Sequence, residues 1–432
     1  MNKALQKILV VVGTTGAGKT KLSVELAKAF NGEIVNSDAM QMYRGLDIAT
    51  AKATLEEMQG VKHHLLSCMD PVDECTVIEF KALAMETIND ILARGKVPVI
   101  VGGTMYYTQS ILWKAQLIED APGANGDETT ASATSTSIPS NPDEAYQALL
   151  QVDPDMAQRL HSRDVRRVQR SLEVFYQTGT KHSDWIAKQV GENDETLFDA
   201  CMLWVDCDRS VLAQRLDARV DNMVQDGLVP EIEALMDNIQ HHLAASPIAL
   251  GLKGISQAIG FKEFQPYLKA KEEGSPDTTT VLAECIEQLK VGTRQYAKRQ
   301  ITWIRNRIVP RNIPVYKLDT TDVAQWPVNV TTPAMSIVSA FLRNDPSPVP
   351  ACISQVDGEN GTKKVKNMCE PCGNREFVGL VQWHEHLRSK SHRFHMKRLR
   401  LLETGQLFER PPPKKAKDKN ASDQLTSGVD KE

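Results

Sequence analysis

Apolar positions along the chain change period several times, and each change marks an element. Ile8-Leu9-Val10-Val11-Val12 is an unbroken apolar run, the pattern of a strand buried on both faces. Lys21 to Ala27 then switches to helical spacing. Gly32 to Asp38 reads as a short second strand ending in an acid. From Thr76 to Arg94 the apolar side chains share one helical face, and Gly95 stops the helix. Val97 to Val101 is a further buried strand, followed by Gly102-Gly103-Thr104. Strand–helix alternation of this kind predicts a parallel α/β sheet. Asp143 to Val190 reads as helical. Cys201 to Val205 resumes the sheet, Arg209 to Gln225 forms the next helix, and Gly227 lies past its end. Helices fill Glu231–Met236 and Thr279–Ile308. The pattern weakens after Pro310, and no tandem repeat is evident.

Between these elements the composition shifts. Pro122 to Pro142 is dominated by Gly, Ser, Thr, Ala and Asn, too few hydrophobics to order a core. The predicted organisation is an α/β core in two parts, 1–120 and 199–325, the second carrying a basic helix. A disordered insert (121–142) and a helical insertion (143–198) separate them. A linker (326–362), a small zinc finger (363–404) and a basic disordered tail (405–432) follow.

The 432 residues suit two or three domains, and 41% apolar and 25% charged residues are ordinary for a globular chain. No apolar run approaches the ~18 residues of a spanning helix, so no membrane association is expected. The N-terminus enters the first strand almost at once, which predicts no signal peptide. Six of the eight cysteines show no disulfide framework, which fits a reducing compartment. Net charge is −4 but unevenly spread. Val291 to Arg311 holds six Arg or Lys and no acid, and Thr362 to Lys419 holds fifteen against six acids. Two basic stretches on a mildly acidic chain point to a polyanionic partner engaged locally.

The chemistry concentrates first in Gly13-Thr14-Thr15-Gly16-Ala17-Gly18-Lys19-Thr20. A G-x-x-x-x-G-K-[ST] stretch between strand and helix is a phosphate loop: backbone N–H groups and the helix N-terminus converge on the anion, Lys19 meets its oxygens, and Thr20 holds Mg²⁺. Asp38 stands at a strand end beside that loop, placed to act as a base or to reach Mg²⁺ through water. Asp206 also follows an apolar run but lies far along the chain, so the loop lacks an obvious hydrolytic acid. His63-His64 has no third ligand at metal spacing and reads as structural. Arg166, Arg167 and Arg170 cluster beside Asp164 and Glu173, a pattern shared by anion sites and ion-paired scaffolds. Arg215 and Arg219 share a helix face, and Lys298 and Arg299 lie among aromatics. Cys369-x2-Cys372, thirteen residues, then His386-x5-His392 supplies two thiolates and two imidazoles for tetrahedral Zn²⁺, with His384 and His395 as rival ligands. Pro411 to Lys417 has the form of a nuclear-import patch.

Taken together these stretches resemble the tRNA dimethylallyltransferase (isopentenyltransferase) family, eukaryotic type with a C-terminal matrin-like C2H2 finger. The matching residues are Gly13–Thr20, Asn36–Tyr43, Asp47–Lys52, His63–Leu65, Val101–Thr104, Arg166–Glu173, Arg215–Gly227 and Gln295–Arg305. The resemblance implies a phosphate-loop NTPase-like fold and transfer of a dimethylallyl group from its diphosphate to N6 of adenine 37 of tRNA, with Mg²⁺ and structural Zn²⁺ as cofactors. By it, Asp38, Thr104 and Arg219 are catalytic. Asp38, Ala39, Met40, Gln41, Arg167, Arg170, Lys298 and Arg299 meet tRNA. Residues 13–20 hold the diphosphate. A monomer is expected, in the cytoplasm with mitochondrial and nuclear pools. Alternatives are an adenylate isopentenyltransferase of cytokinin synthesis, a small-molecule kinase, and a nucleic-acid-binding protein with a dead core.

Overall fold

The computed structural model describes residues 5–114, 138–192, 195–245, 254–352 and 366–403. It divides into two compact units, Met1–Thr130 with Asp184–Asn360, and Ala131–Ser183 with Gly361–Glu432.

The first unit is built on six parallel strands: β1 (Lys7–Gly13), β2 (Gly32–Asn36), β3 (His63–His64), β4 (Val97–Val101), β5 (Asp199–Asp206) and β6 (Val315–Asp319), in the order β3-β2-β4-β1-β5-β6. The apolar run of β1 explains its central place. Successive side chains point to opposite faces, so Ile8, Val10 and Val12 join one buried cluster and Leu9 and Val11 the other. Helix Val77–Ala93 covers the first face with Phe80, Ala84, Ile88 and Ile91. Helix Lys19–Ala29 covers the second with Leu22 and Leu26. A third cluster joins Val220, Leu228, Ile232 and Leu289 from the helices Arg209–Gln225, Leu228–Ala245 and Thr278–Trp303.

Several expectations need correction. The span 326–362 is not a linker throughout. Trp326 is 4% exposed, and helix Thr332–Arg343 seals the second face of the sheet with Ala334, Ile337 and Val338. That helix runs on from a π-helical turn, Pro327–Thr331, whose own first residue is a proline, the place where a missing N–H is best tolerated. Strand β6 lies in the region where the pattern weakened, and β3 is too short to show a period. The helix read as Glu231–Met236 runs Leu228–Ala245, and Thr278–Trp303 continues as a π-helical turn, Ile304–Ile308. The helical insertion ends at Ser183 rather than 198, because Thr196 and Leu197 already pair with Trp113 and Leu112 beside the sheet.

The second unit joins the helices Pro142–Val152, Pro154–Arg159 and Val165–Thr178 to a small ββα element. Asp153 is fully buried and accepts from Met156 N (3.0 Å) and Ser183 N (2.8 Å), so one carboxylate caps one helix and anchors another. In the ββα element β7 (Lys366–Cys369) pairs antiparallel with β8 (Arg375–Val378), before helices Leu380–Arg388 and Lys390–Glu403. Most of the insert expected at 121–142 and all of the tail expected at 405–432 lie outside the described residues, as does the end of the expected linker. Among the described residues no helix is long and apolar enough to cross a membrane.

Candidate active site and metal centre

Gly13 ends β1 and Lys19 begins the next helix, so the intervening turn must bend sharply. Gly16 (φ +76°) and Gly18 (φ +91°) take left-handed conformations open chiefly to glycine. Space makes a second demand. A Cβ on Gly16 would lie 2.8 Å from the Leu216 side chain, and one on Gly18 2.7 Å from the Trp326 indole. Trp326 is itself fixed, donating to Glu25 Oε1 at 3.0 Å. Thr14 and Ala17 are buried, and Thr20 is part-exposed in the helix's first turn. Lys19 Nζ donates to Thr14 O at 3.0 Å. Its ammonium lies deep in a cleft although solvent still reaches it, and that burial lowers its pKa to about 8. Asp38 opposes the shift and Arg219 adds to it. Arg219 Nη1 lies 3.4 Å from Thr15 Oγ1, and burial lowers its pKa too.

Asp38 lies two residues past the end of β2, and Thr104 lies just beyond the adjacent strand β4, so sheet order alone makes them neighbours. Hydrogen bonds then fix the pair. Asp38 N donates to Asn36 Oδ1 (3.0 Å), Ala39 N to Thr104 Oγ1 (3.0 Å), and Thr104 N to Ser37 O (3.3 Å). Gly102 and Gly103 allow the strand ends to touch. A Cβ on Gly102 would fall 2.2 Å from the Ser37 carbonyl carbon, and one on Gly103 2.5 Å from Asp38 Oδ2. Burial raises the Asp38 pKa, against the pull of Lys19 and of backbone N–H groups including Met40 N, 3.2 Å away. Ala39 to Gln41 continue from Asp38 part-exposed, and Gln41 Nε2 donates to Thr50 O at 3.0 Å. Lys52, almost wholly buried, bonds Tyr43 O, Asp47 and Ser67 and so pins the segment behind it.

Gln300 escaped the sequence reading, and Tyr296, read as one of the aromatics among the basic residues of its helix, turns inward to this site. Gln300 accepts from Thr15 N (2.9 Å) and donates to Gly103 O (2.9 Å), and Tyr296 donates to the same carbonyl (3.1 Å). A polar residue one turn from Tyr296 on a helix with apolar Ile301 and Ile304 was the available signal, but only the fold shows what it faces. Burial and the Asp38 charge push the Tyr296 phenol well above its ordinary range. On the same helix Lys298 and Arg299 are exposed, with the Arg299 guanidinium 5.9 Å from the Tyr296 ring centre.

Other candidates take structural places. Asp206 is ion-paired with Lys317 (3.0 Å) and Arg209 (3.4 Å). Arg215 donates to Thr321 O at 2.6 Å. His64 Nε2 meets Glu33 Oε2 at 2.7 Å, and Glu33 is held well below the usual carboxylate range, first by Arg94. In the second unit Arg167 and Arg170 are exposed and pair with Asp164 (3.5 Å) and Glu173 (3.2 Å).

Cys369, Cys372, His386 and His392 each bring a ligand atom within 4.8 Å of the others. His392 Nδ1 lies 3.4 Å from Cys369 Sγ and 3.6 Å from Cys372 Sγ. Tetrahedral Zn²⁺ with bonds of about 2.0–2.3 Å separates its ligands by roughly 3.3–3.8 Å. His386 Nε2 is buried without a hydrogen-bond partner, as a ligand nitrogen would be. The donor set therefore fits zinc, and the rivals His384 and His395 are not in the cluster. The finger is tied to the helical insertion through Glu376, which pairs with Lys366 (2.9 Å) and accepts from Ser162 Oγ (3.2 Å), while Lys366 also reaches the Tyr146 hydroxyl (2.6 Å).

Fold and site define a phosphate-loop α/β protein in which a buried carboxylate on the neighbouring strand faces the loop lysine, with an added module able to bind zinc. The chain belongs to the IPP transferase family, whose model matches residues 41–307. It is 37% identical to a mouse tRNA dimethylallyltransferase, over 92% of this chain and 87% of that one. It is also 37% identical to the Saccharomyces cerevisiae tRNA dimethylallyltransferase, over 91% and 92%. A solved eukaryotic dimethylallyltransferase acting on tRNA matches with TM-score 0.74 and 33% identity, covering 93% of this chain and 98% of that one. The tRNA isopentenylpyrophosphate transferase of Bacillus halodurans matches with TM-score 0.51 and 32% identity, covering 78% and 97%.

Proposed function

We propose that this protein transfers the dimethylallyl group of dimethylallyl diphosphate to N6 of adenine 37 in tRNA and releases diphosphate. The observation that carries this reading is the convergence of Asp38, Lys19 and Thr104 at neighbouring strand ends. Residues 13–20 hold the diphosphate through backbone N–H groups, with Lys19 and Arg219 stabilising the charge that grows as the C1–O bond breaks. Thr20 and the diphosphate oxygens form an oxygen donor set that suits Mg²⁺, which when bound supplies further neutralisation of the leaving group. The adenine leaves its stack to enter the cleft. Thr104 positions it, N6 bonds to C1, and Asp38 accepts the N6 proton. A carboxyl pKa raised by burial serves that role, because a stronger base takes the proton more readily at neutral pH. Ala39, Met40 and Gln41 contact the entering base, Lys298 and Arg299 the RNA backbone near it, and Arg167, Arg170 and the zinc finger the flanking RNA.

Purified protein with Mg²⁺, labelled dimethylallyl diphosphate and undermodified tRNA is expected to label adenine 37. Label on AMP and none on tRNA would overturn the reading in favour of an adenylate acceptor. Phosphate transfer from ATP, uncompeted by dimethylallyl diphosphate, would favour a kinase. The pairing of Asp206 with Lys317 and Arg209 supports the transferase reading over a kinase, which would most readily use that acid for its metal.

A further inference from the structure

We infer that Gln300 is a positioning residue that braces the phosphate loop against the Gly103 turn and so sets the spacing between donor and acceptor subsites. The inference rests on the function proposed above, since it needs a diphosphate on the loop and an adenine beside Thr104.

Gln300 is 3% exposed, and a buried side-chain amide is costly unless both its ends are satisfied. Here each end is satisfied by a different half of the site. Its carbonyl oxygen takes Thr15 N–H of the phosphate loop, and its amino group gives to Gly103 O, the residue before Thr104. The pairing of β1 with β4 runs from Leu9 beside Val99 to Val11 beside Val101 and stops short of Thr15 and Gly103. The amide therefore supplies a link across the open ends of the strands that the sheet does not. Close packing makes the link stiff. The Cβ position of Gly103 lies 2.5 Å from Asp38 Oδ2, 2.8 Å from Gln300 Nε2 and 3.1 Å from the Tyr296 hydroxyl, so base, brace and tyrosine surround one glycine. Tyr296 gives Gly103 O its second hydrogen bond, but does not reach the phosphate loop through any bond described here. Gln300 is thus the member of the pair that spans both subsites. Alkyl transfer is sensitive to such spacing, because misplacing a reacting atom by about 1 Å costs on the order of 100-fold in rate.

The test is Gln300→Met, which keeps the side chain's length and removes both hydrogen bonds. With both substrates saturating, its single-turnover rate is expected to fall by about 10–100-fold. Separately measured affinities for dimethylallyl diphosphate and for tRNA are expected to shift less than threefold. Tyr296→Phe, which cuts only one bond to Gly103 O, is expected to lose less rate and to retain the fold if Gln300→Met does not. A Gln300→Met protein that transfers at the wild-type rate overturns the brace, as does one whose whole loss lies in donor affinity. If Gln300→Met is unfolded, Gln300→Asn, whose amide is one methylene too short to reach both Thr15 N and Gly103 O, is tested instead, and transfer at the wild-type rate overturns the brace. Wild-type protein that labels no tRNA defeats the proposed function itself, which is a separate outcome.

Discussion

The sheet unit and the zinc finger solve the same problem, holding four polar groups at fixed geometry, in opposite ways. In the sheet unit Asp38, Thr104, Arg219 and Gln300 come from distant parts of the chain and meet because buried strands and helices leave them nowhere else to go. In the finger the ligands Cys369, Cys372, His386 and His392 lie close in sequence, and the buried side chains Cys369 and His386 are themselves ligands. One site is a product of its core. The other is its own core, and a segment that small depends on metal to fold. The lesson is that damage to the first should be chemical and damage to the second structural.

Four experiments break or sharpen that contrast. The largest effect belongs to Asp38→Ala, expected to slow the chemical step by about 10²–10⁴-fold with tRNA affinity nearly intact. Rapid-quench single turnover measures it, and an unchanged rate would remove Asp38 as the base.

Next comes pH. In the proposed reaction Asp38 works deprotonated, and its raised pKa moves the expected acid limb above the ordinary carboxylate range. Lys19 works protonated, so its lowered pKa puts the alkaline limb near about 8 in the free enzyme. A profile of kcat/KM for dimethylallyl diphosphate should be bell-shaped, falling about tenfold per unit outside these limits. A profile flat through pH 9 would contradict the assignment of Lys19.

Chelation comes third. Stripping the metal from the full protein should abolish the finger's ordered structure, read by hydrogen exchange at β7 and β8, and leave the sheet unit's protection unchanged. Affinity for tRNA should drop on the order of tenfold through lost phosphate contacts. If the sheet unit loosens as well, the two sites are not independent in the way described.

The smallest effect is that of Arg167→Glu. Its exposed pairing with Asp164 contributes little, so stability should move by no more than about 0.5 kcal/mol. The salt dependence of tRNA binding should lose about one charge's worth of slope.

The catalytic half of the sheet was readable because fully buried parallel strands announce themselves as apolar runs, and phosphate loops carry fixed chemistry. Asp38 and Thr104 followed, since strand ends gather ligands in such sheets. The helix Thr332–Arg343 was read as linker although Ala334, Ile337, Val338 and Phe341 have helical spacing, and it runs on from the π-helical turn that Pro327 opens. Strand β6, at a sheet edge, buries Val315 and Leu318 without a regular alternation and gives a weaker signal than β1. Gln300 could not be found this way at all. Its identity shows only that a polar residue lies on an amphipathic helix, and its two partners lie nearly 200 and 300 positions away. Arg219 by contrast was found through the resemblance, and its place beside Thr15 gives that reading a physical context.

Trp326 has a consequence for how the protein is made. The indole that packs against Gly18 belongs to a segment roughly 300 residues downstream, past the end of the family match at residue 307. At translation speeds of about 5–20 residues per second, the interval is roughly 15–60 s. Throughout it the phosphate loop lacks the indole that packs against Gly18. Synthesis therefore completes the packing of this early loop late, and a nascent chain stalled before Trp326 carries a phosphate loop with no indole against Gly18.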